Sequence, residues 1–391
     1  MSCDKTDISD EQAKSFIKFY SSISSDLGKD VRTTSDGDYL VLGTITTATN
    51  GMDIILFKTD KFGNKLWART YGYEEDEDAA NLQLLNSGEL LIFGTSSSDS
   101  TNKDFFLIIT DSEGNEKWSR TYGDISYEEG YYAIQTNGGD FAMVGSTTGD
   151  IAGTNLSDID ANRDALVYLV NNQGDSIIND NLFSVSTYSE IGKQIFEIEN
   201  GVFFVIGDKS PAGLREIAYY VLDTSLKVGY PFPLPEVVTS SVSFSYARIL
   251  PNQELIILGN QITNQLSDIY LMSFNVSYDT ELQLTLNFQK TIQSNGDNQG
   301  NRFCITNNNE YAIIGTTNGP GSNGGYDAYL LTVDKDGNEL YSQTYGYVDN
   351  ESGNAICVTP DNGFIFTGSA ELSDNSMISL IKTLPGGELL E

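Results

Sequence analysis

The sequence has no histidine among its 391 residues. Histidine is the commonest general base, the usual zinc ligand and the partner of serine and cysteine nucleophiles, so the standard forms of these sites are excluded. Carboxylates, tyrosine and lysine leave fewer acid–base routes, which favours a non-catalytic function. Basic residues are also few: 22 Lys and Arg stand against 55 Asp and Glu, for a net charge of −33. Such a surface repels nucleic-acid phosphates and anionic lipids, so we expect no nucleic-acid partner.

Long apolar runs and cysteines are scarce as well. No run of about 18 apolar residues occurs, so no transmembrane helix is predicted. Of the three cysteines, Cys304 and Cys357 stand at equivalent points of the repeat described below. They could form a disulfide in an oxidising compartment, but we prefer two buried free thiols because disulfide geometry is strict.

What the chain does contain is an internal repeat. The glycine that ends an apolar run recurs seven times, at Gly43, Gly94, Gly145, Gly207, Gly259, Gly315 and Gly368. Each unit reads as four short strands with Gly and Asn/Asp turns and no helical pattern, which indicates an all-β protein. Units of about 50 residues with four strands are typical of propeller blades. The sequence therefore predicts a seven-bladed β-propeller of four-stranded blades.

The two ends of the repeat predict how the ring closes. The segment "FIKFY", residues 16–20, aligns with a fourth strand that has no first three strands before it, and the last unit stops after its third strand. We therefore expect the N-terminal strand to complete the last blade, which removes a free sheet edge. Residues 16–391 are then one propeller domain, and residues 1–15 are an N-terminal tether.

The repeated pattern D-x-(L/F)-L…D-x-x-G-N-x-x-W-x-(R/K)-x-(Y/F)-G resembles the repeat of bacterial propeller lipoproteins and secreted propellers, over residues 16–391. The resemblance implies a propeller at the cell surface and supplies no catalytic motif. The start "MSCDKTDISDEQ" is similar to the mature end of a bacterial lipoprotein, with Cys3 as the lipid anchor. The alternative is an ordinary cytosolic start with an incidental cysteine.

Residues that recur in most units are interpreted as structural. The D-x-x-G-N segments at Asp60, Asp111 and Asp334 have glycine fourth rather than sixth, so they fit hairpin turns and not calcium loops of the EF type. Trp67 and Trp118 are expected to wedge between blades. The aspartates that begin third strands are expected to cap loops by binding backbone amides: Asp53, Asp104, Asp164, Asp268 and Asp327.

Three features that do not repeat are candidates for function. In the insertion of the third unit, Asp158, Asp160 and Asn162 alternate, which suits Ca²⁺, although a solvated polar loop is the alternative. No other cofactor is implied. The connections between units are acidic, as in "EEDED", and form either a solvated rim or a docking surface for a basic partner.

The third feature is a ring around the propeller axis. Aligning the inner strands by their glycines places one residue of each strand at the axis: Asp30, Asn81, Tyr132, Gln194, Tyr246, Arg302 and Ala355. These side chains offer hydrogen bonds and stacking surfaces of the kind that glycans or peptides use. A channel that holds only water is the alternative.

These observations predict a non-catalytic binding or scaffold propeller. We expect it to be lipid-anchored at the surface of a bacterial outer membrane, as a subunit of an outer-membrane protein assembly. The alternative is a surface protein that binds glycans or cleaves polysaccharides with carboxylates.

Overall fold

Every regular element of the described residues is a β-strand. The computed structural model describes residues 15–22, 25–48, 51–73, 75–99, 102–124, 126–148, 163–183, 189–210, 214–226, 232–235, 241–263, 265–279, 281–293, 295–373 and 375–390.

The strands are numbered in chain order. The first group comprises β1 (Phe16–Tyr20), β2 (Leu27–Thr33), β3 (Tyr39–Thr47), β4 (Gly51–Thr59), β5 (Lys65–Tyr71), β6 (Glu77–Leu84), β7 (Leu90–Asp99), β8 (Asn102–Thr110) and β9 (Glu116–Tyr122). The middle group comprises β10 (Glu128–Gln135), β11 (Phe141–Thr147), β12 (Asp164–Val170), β13 (Ile177–Phe183), β14 (Ser189–Glu199), β15 (Val202–Ser210), β16 (Glu216–Leu222) and β17 (Phe232–Pro233). The last group comprises β18 (Val242–Ile249), β19 (Glu254–Thr263), β20 (Leu266–Tyr278), β21 (Leu282–Ile292), β22 (Asn298–Ile305), β23 (Tyr311–Thr317), β24 (Asp327–Val333), β25 (Glu339–Tyr345), β26 (Ala355–Val358), β27 (Phe364–Leu372) and β28 (Asn375–Lys382).

The strands form seven antiparallel four-stranded sheets arranged as the blades of a ring, so the predicted seven-bladed β-propeller is confirmed. Six blades consist of four consecutive strands, from β2–β5 to β22–β25. The seventh has the order β26-β27-β28-β1, with Phe16 opposite Lys382 and Tyr20 opposite Ile378. The N-terminal strand therefore completes the last blade, as the repeat predicted. β28 is paired with β27 on one side and with β1 on the other, so it is not an edge strand.

The recurring glycine of each second strand makes room for a β-bulge in the neighbouring inner strand. The register shifts at equivalent points, for example between Gly28 and Asp30 and between Gly192 and Gln194. A Cβ added at Gly145 or Gly315 would lie 1.9 or 1.7 Å from a carbonyl oxygen of the inner strand. The bulge adds one residue to the inner strand and turns its side chain towards the propeller axis.

Aromatic residues at the end of the fourth strands tie each blade to the next. The hydroxyl groups of Tyr71 and Tyr122 donate to the carbonyl oxygens of Gly114 and Gly174, at 2.6 and 2.8 Å. Gly114 lies in the D-x-x-G turn of the following blade, and Gly174 lies in the equivalent turn, which begins with Asn171. The Trp67 and Trp118 rings lie against the same two glycines. The predicted wedges between blades are confirmed.

The D-x-x-G-N segments are hairpin turns, as predicted. In the turn at Asp60, the backbone N–H groups of Phe62 and Asn64 donate to Asp60 Oδ1 at 2.9 and 2.8 Å. Gly63 has a φ of 75°, which favours glycine. The same bonds recur in the turns at Asp111 and Asp334.

Candidate functional site

The inner strands surround a central channel whose two mouths differ. We call the side where the second-to-third-strand hairpins and the connections between blades emerge the upper face. On this side the channel widens into a cavity of about 370 Å³, which we call the upper mouth. Its lining residues are Lys29, Ala80, Asn81, Tyr131, Tyr132, Lys193, Gln194, Phe244, Ser245, Tyr246, Asn301, Arg302 and Asn354.

The bulges explain which side chains reach the upper mouth. Lys29, Tyr131, Lys193 and Asn301 are bulge residues, each lying one position before a residue of the predicted ring. The ring alignment missed this layer because it counted one axis residue per strand. The signal was present in the sequence, since the inner strand must accommodate an extra residue beside every recurring glycine.

The ring residues themselves form the floor of the upper mouth, and Asp30 is its electrostatic centre. The Asp30 carboxylate is completely buried and accepts from Arg302 Nη1 at 2.7 Å and from Arg32 Nη2 at 2.9 Å. The backbone N–H groups of Val31 and Leu82 complete its shell at 2.8 and 3.0 Å. A buried carboxylate with two cations and two N–H donors is fully satisfied.

Arg302 connects the charge at Asp30 to two tyrosines. Its guanidinium carbon lies 4.6 Å from the centroid of the Tyr246 ring, which is a cation–π distance. Burial alone would lower the pKa of Arg302, but Asp30, Tyr246 and Tyr132 outweigh burial and the pKa is raised. Burial raises the pKa of Tyr132, with Tyr246 acting in the same direction, so Tyr132 stays neutral. The floor is thus a fixed hydrogen-bonding and aromatic surface.

The two amide residues of the ring join neighbouring blades. Asn81 Nδ2 donates to the Ala133 carbonyl at 3.2 Å, and its Oδ1 accepts from the Ala133 N–H at 3.0 Å. Gln194 makes the same pair of bonds with Ala247, at 2.9 and 2.8 Å. Each side chain thereby satisfies the backbone N–H and carbonyl groups of one residue on the free edge of the next inner strand. Asn81 and Gln194 are part of the frame as well as of the lining.

The cations at the rim of the upper mouth are partly exposed. Lys29 Nζ lies 3.0 Å from Asp78, and Lys193 Nζ lies 2.8 Å from Asp208. About a quarter of each lysine side chain remains accessible, 23% and 27% respectively. Lys193 Nζ also donates to the Phe244 carbonyl at 3.0 Å. An ammonium group has three donors, so each lysine retains at least one donor for a ligand.

The lining of the upper mouth differs from the chain as a whole in the charged residues that it contains. Its described lining residues include Lys29, Lys193 and Arg302 and no aspartate or glutamate, whereas the whole chain has a net charge of −33. The acidic residues of the upper face therefore stand around the mouth rather than in it. Each of the three cations is paired with an aspartate, namely Asp78, Asp208 or Asp30, so the mouth presents cationic hydrogen-bond donors to a ligand rather than an unbalanced positive charge.

The structure brings most of the predicted ring together. Asn81, Tyr132, Gln194, Tyr246 and Arg302 line the upper mouth, whereas Asp30 is buried beneath Arg302. Ala355 is completely buried and packs among the apolar residues between the seventh and first blades.

The other predicted sites fall elsewhere. Cys3 and the calcium candidates Asp158, Asp160 and Asn162 lie outside the described residues. Within the described ranges, no group of three or more Asp, Glu, Cys or His side chains is arranged to hold a metal ion. Cys304 is a buried free thiol, and the free thiol of Cys357 donates to the Val31 carbonyl at 3.1 Å. The part of the chain that the structure describes also contains no helix long and apolar enough to cross a membrane.

The opposite side of the channel has a second opening, which we call the lower mouth. This cavity of about 440 Å³ has apolar walls, formed by Ile134, Phe196, Ile198 and Ile249, with amide side chains and Glu197 around them. Tyr132 lines both mouths and separates them. The lower mouth lacks lysine and arginine among its described lining residues, so the positive charge belongs to the upper mouth.

Comparisons with known proteins show the fold and nothing finer. No protein-family profile matches the chain, and no curated protein matches its sequence. Among solved structures, the chain is similar to hydrazine synthase of Kuenenia stuttgartiensis, with a TM-score of 0.54, 9% identity, and coverage of 91% of this chain and 96% of that one. A puromycin hydrolase matches with a TM-score of 0.46 and 7% identity, over 89% of this chain and 58% of the hydrolase.

Proposed function

We propose that this protein is a non-catalytic binding propeller and that the upper mouth holds its ligand. One observation carries the proposal: in a chain with a net charge of −33, the described lining of the upper mouth contains three cations and no carboxylate. The frame beneath these cations is rigid, because Asp30, Asn81 and Gln194 each bond to the next inner strand. A rigid concave site with a few convergent polar groups is the usual form of a ligand site.

The chemistry of the lining favours an acidic glycan as the ligand. Lysine ammonium groups can bind the carboxylates of such a glycan, and the amides of Asn301 and Asn354 suit its hydroxyl groups. Tyr131 and Tyr246 add aromatic surface beside these donors. The volume of about 370 Å³ accommodates a terminal sugar unit rather than a folded protein segment.

Binding is better supported than cleavage. Carboxylate-based cleavage of a polysaccharide needs two carboxyl groups on either side of the scissile bond, about 5–9.5 Å apart. The described lining of the upper mouth contains no carboxyl group that could act as the acid or the base. We therefore prefer a binding protein to a polysaccharide-cleaving enzyme.

We also infer a location and a partner class from the sequence. The resemblance of the start of the chain to a mature lipoprotein supports anchoring through a lipid on Cys3, at the surface of a bacterial outer membrane. The acidic upper face suits a partner with a basic surface, so the propeller would serve as a subunit of an outer-membrane protein assembly. Intact-mass measurement of the protein from native membranes tests the anchor, and an unmodified Cys3 would contradict it.

Titration of the purified chain with acidic and neutral polysaccharides tests the ligand. We expect acidic glycans to bind and added salt to weaken binding. Lys29→Glu should weaken binding at least about tenfold, or about 1.4 kcal/mol. Lys335→Glu makes the same charge change at a residue 77% exposed in a turn of the sixth blade, so it should leave binding unchanged. Equal affinity of the wild type and Lys29→Glu, or binding only of neutral glycans, would contradict the proposal.

A further inference from the structure

Three junctions between blades bury an aspartate and a glutamate against the same glycine. The aspartate begins a third strand, the glutamate lies at the start of the next inner strand, and the glycine follows the fourth strand between them. A Cβ added at Gly123 would lie 2.2 Å from Asp104 Oδ1 and 2.1 Å from Glu128 Oε2. Both carboxyl oxygens therefore stand against the glycine Cα, in the space that any other side chain would fill.

The same arrangement recurs at two further junctions. At Gly72 the corresponding distances are 2.5 Å to Asp53 Oδ1 and 2.5 Å to Glu77 Oε2. At Gly346 they are 2.3 Å to Asp327 Oδ1 and 2.5 Å to Glu351 Oε2. We call these three Asp–Glu pairs the junction carboxyl pairs. Their recurrence explains the glycine that ends the repeated pattern W-x-(R/K)-x-(Y/F)-G, because only glycine leaves space for two carboxyl groups.

The junction carboxyl pairs contain polar atoms that are buried without a hydrogen-bond donor. Glu128, Glu351 and Asp327 are 2%, 6% and 0% exposed. Buried oxygens without a hydrogen-bond partner occur in every pair: Asp53 Oδ1, Asp104 Oδ1, Glu128 Oε2, Asp327 Oδ1 and Glu351 Oε1. Two adjacent buried carboxylates cannot both remain ionised without a compensating group. Two of the glutamates accept from neutral donors: Ser96 Oγ and the Tyr73 N–H donate to Glu77, and the Tyr347 N–H donates to Glu351. Because these donors carry no charge, a proton in each pair is what removes one of its two charges and supplies a donor to the oxygens that lack one.

The charged groups around the three glutamates do not compensate for their charge. Besides its paired aspartate, Glu77 faces Asp76 and Glu128 faces Asp124. Glu351 faces Asp349 and Glu371 as well as Asp327. Tyr168 lies on β12 of the same blade as Glu128, and its pKa is raised by burial and by Glu128.

The cations near the second pair act on a different carboxylate. Lys103 and Arg163 both lower the pKa of Glu129, and Arg163 forms an ion pair with it. Lys103 also stands over the Tyr127 ring, 4.8 Å from its centroid. Burial, the largest effect, raises the pKa of Glu77 to about 7 and of Glu128 to about 8. It also raises the pKa of Glu351 and of the three paired aspartates.

We propose that each junction carboxyl pair binds one proton at neutral pH, shared between its aspartate and its glutamate, and that the folded ring releases these protons as the pH becomes alkaline. The chain offers an internal parallel. At the junction of the fifth and sixth blades, Asn298 stands in the position of the glutamate, 2% exposed, after Asp268 at the start of the third strand. A neutral amide there carries donors at every pH, and its Nδ2 donates to the Gly296 carbonyl at 3.0 Å.

The direction of the pH effect on stability follows from the pH at which the unfolded and the folded chain each release these protons. The unfolded chain releases them in the ordinary carboxyl range, near 4.5 for glutamate. The stability that the bound protons contribute is therefore complete below that range. It is lost as the pH rises through the folded-state pKa, about 7 at Glu77 and about 8 at Glu128. Between the two values, each retained proton reduces the folding equilibrium constant tenfold per pH unit.

Thermal denaturation of the full chain from pH 5 to pH 9.5 tests the proposal. We expect the wild type to lose stability between about pH 5 and 8, above the ordinary glutamate value and up to the folded-state values of Glu77 and Glu128, and to level off at higher pH. The triple variant Glu77→Gln, Glu128→Gln and Glu351→Gln should have a flatter profile, since glutamine supplies a donor at every pH. A control variant makes the same charge change at three exposed positions: Glu75→Gln, Glu113→Gln and Glu281→Gln. The control should follow the wild type.

Infrared spectroscopy provides a readout that does not depend on the stability of a variant. In D₂O at pH 7, the wild type should show the carbonyl band of protonated carboxyl groups, and this band should disappear by pH 9.5. No such band at neutral pH, or identical stability profiles of the wild type and the triple variant, would overturn the proposal. Stabilisation of the chelator-treated wild type by CaCl₂, absent from the triple variant, would also overturn it, because a cation would then occupy the pairs in place of the proton.

Discussion

Replacing Asp30 with asparagine should destabilise the ring from its centre. Asp30 is completely buried and is the only anion that the described residues place within ion-pair distance of both Arg302 and Arg32. The asparagine would keep the shape of the side chain but lose its charge. One of the two acceptor atoms would become an NH₂ group that faces existing donors: Arg32 Nη2 and the Leu82 N–H at the position of Oδ2, or Arg302 Nη1 and the Val31 N–H at the position of Oδ1.

The magnitude follows from the burial of the partners. The Arg302 side chain is 8% exposed, so its charge cannot be compensated by water. Removing one member of a buried ion pair costs about 3–5 kcal/mol. The unfolding entropy of about 2.1 cal/mol/K per residue amounts to about 0.8 kcal/mol/K for this chain, so the melting temperature should fall by about 4–6 °C.

Urea denaturation followed by tryptophan fluorescence measures this loss, since Trp67 and Trp118 lie between blades. Asp36→Asn is the matched control: its carboxylate is 59% exposed and pairs with Lys58 at 3.0 Å, so the loss should be at most about 1 kcal/mol. In the double variant Asp30→Asn, Arg302→Gln, removal of the uncompensated cation should recover part of the loss. A cost below about 1 kcal/mol for Asp30→Asn, equal to that of the control, would refute the view that Asp30 holds the floor of the upper mouth.

Two further predictions test the frame around the site. Gly145→Ala should lower the free energy of unfolding by about 3 kcal/mol or more, because the new Cβ would lie 1.9 Å from the Glu129 carbonyl oxygen. Gly138→Ala is the control: the nearest neighbour of its new Cβ is 3.6 Å away, so it should change the urea midpoint little. Equal effects of the two substitutions would contradict the bulge explanation. Deleting residues 1–20 should lower the melting temperature and promote self-association, because the deletion exposes the edge of β28. Deleting residues 1–14 spares β1, so size-exclusion chromatography should show that this shorter deletion leaves the association state unchanged. A monomeric and equally stable 1–20 deletion would show that the closure contributes nothing.

The repeat made most of the fold predictable because each blade is a local unit. Four strands, three hairpins and a recurring glycine lie within one stretch of sequence, so their alignment identified the blades without any long-range contact. Ring closure was also predictable, since "FIKFY" matched a fourth strand that lacked a blade. The interpretation of the third-strand aspartates was incomplete: Asp327 does accept from the Asn323 backbone N–H, at 2.9 Å, but its other oxygen faces Glu351. That glutamate belongs to the next unit, so inspection of a single unit could not find it.

By itself, the sequence determined the number of blades, the closing strand and the side chains that could reach the axis, because periodicity and turn chemistry are local properties. The tertiary structure decided which of those side chains meet. Asp30 and Arg302 form an ion pair although they belong to the first and sixth blades, because the ring brings distant blades to a common axis. The bulges decided that Lys29 and Lys193 line the upper mouth, since one extra residue in a strand reverses the direction of a side chain. A site lined by cationic donors in an acidic chain is thus a result of assembly, not of composition.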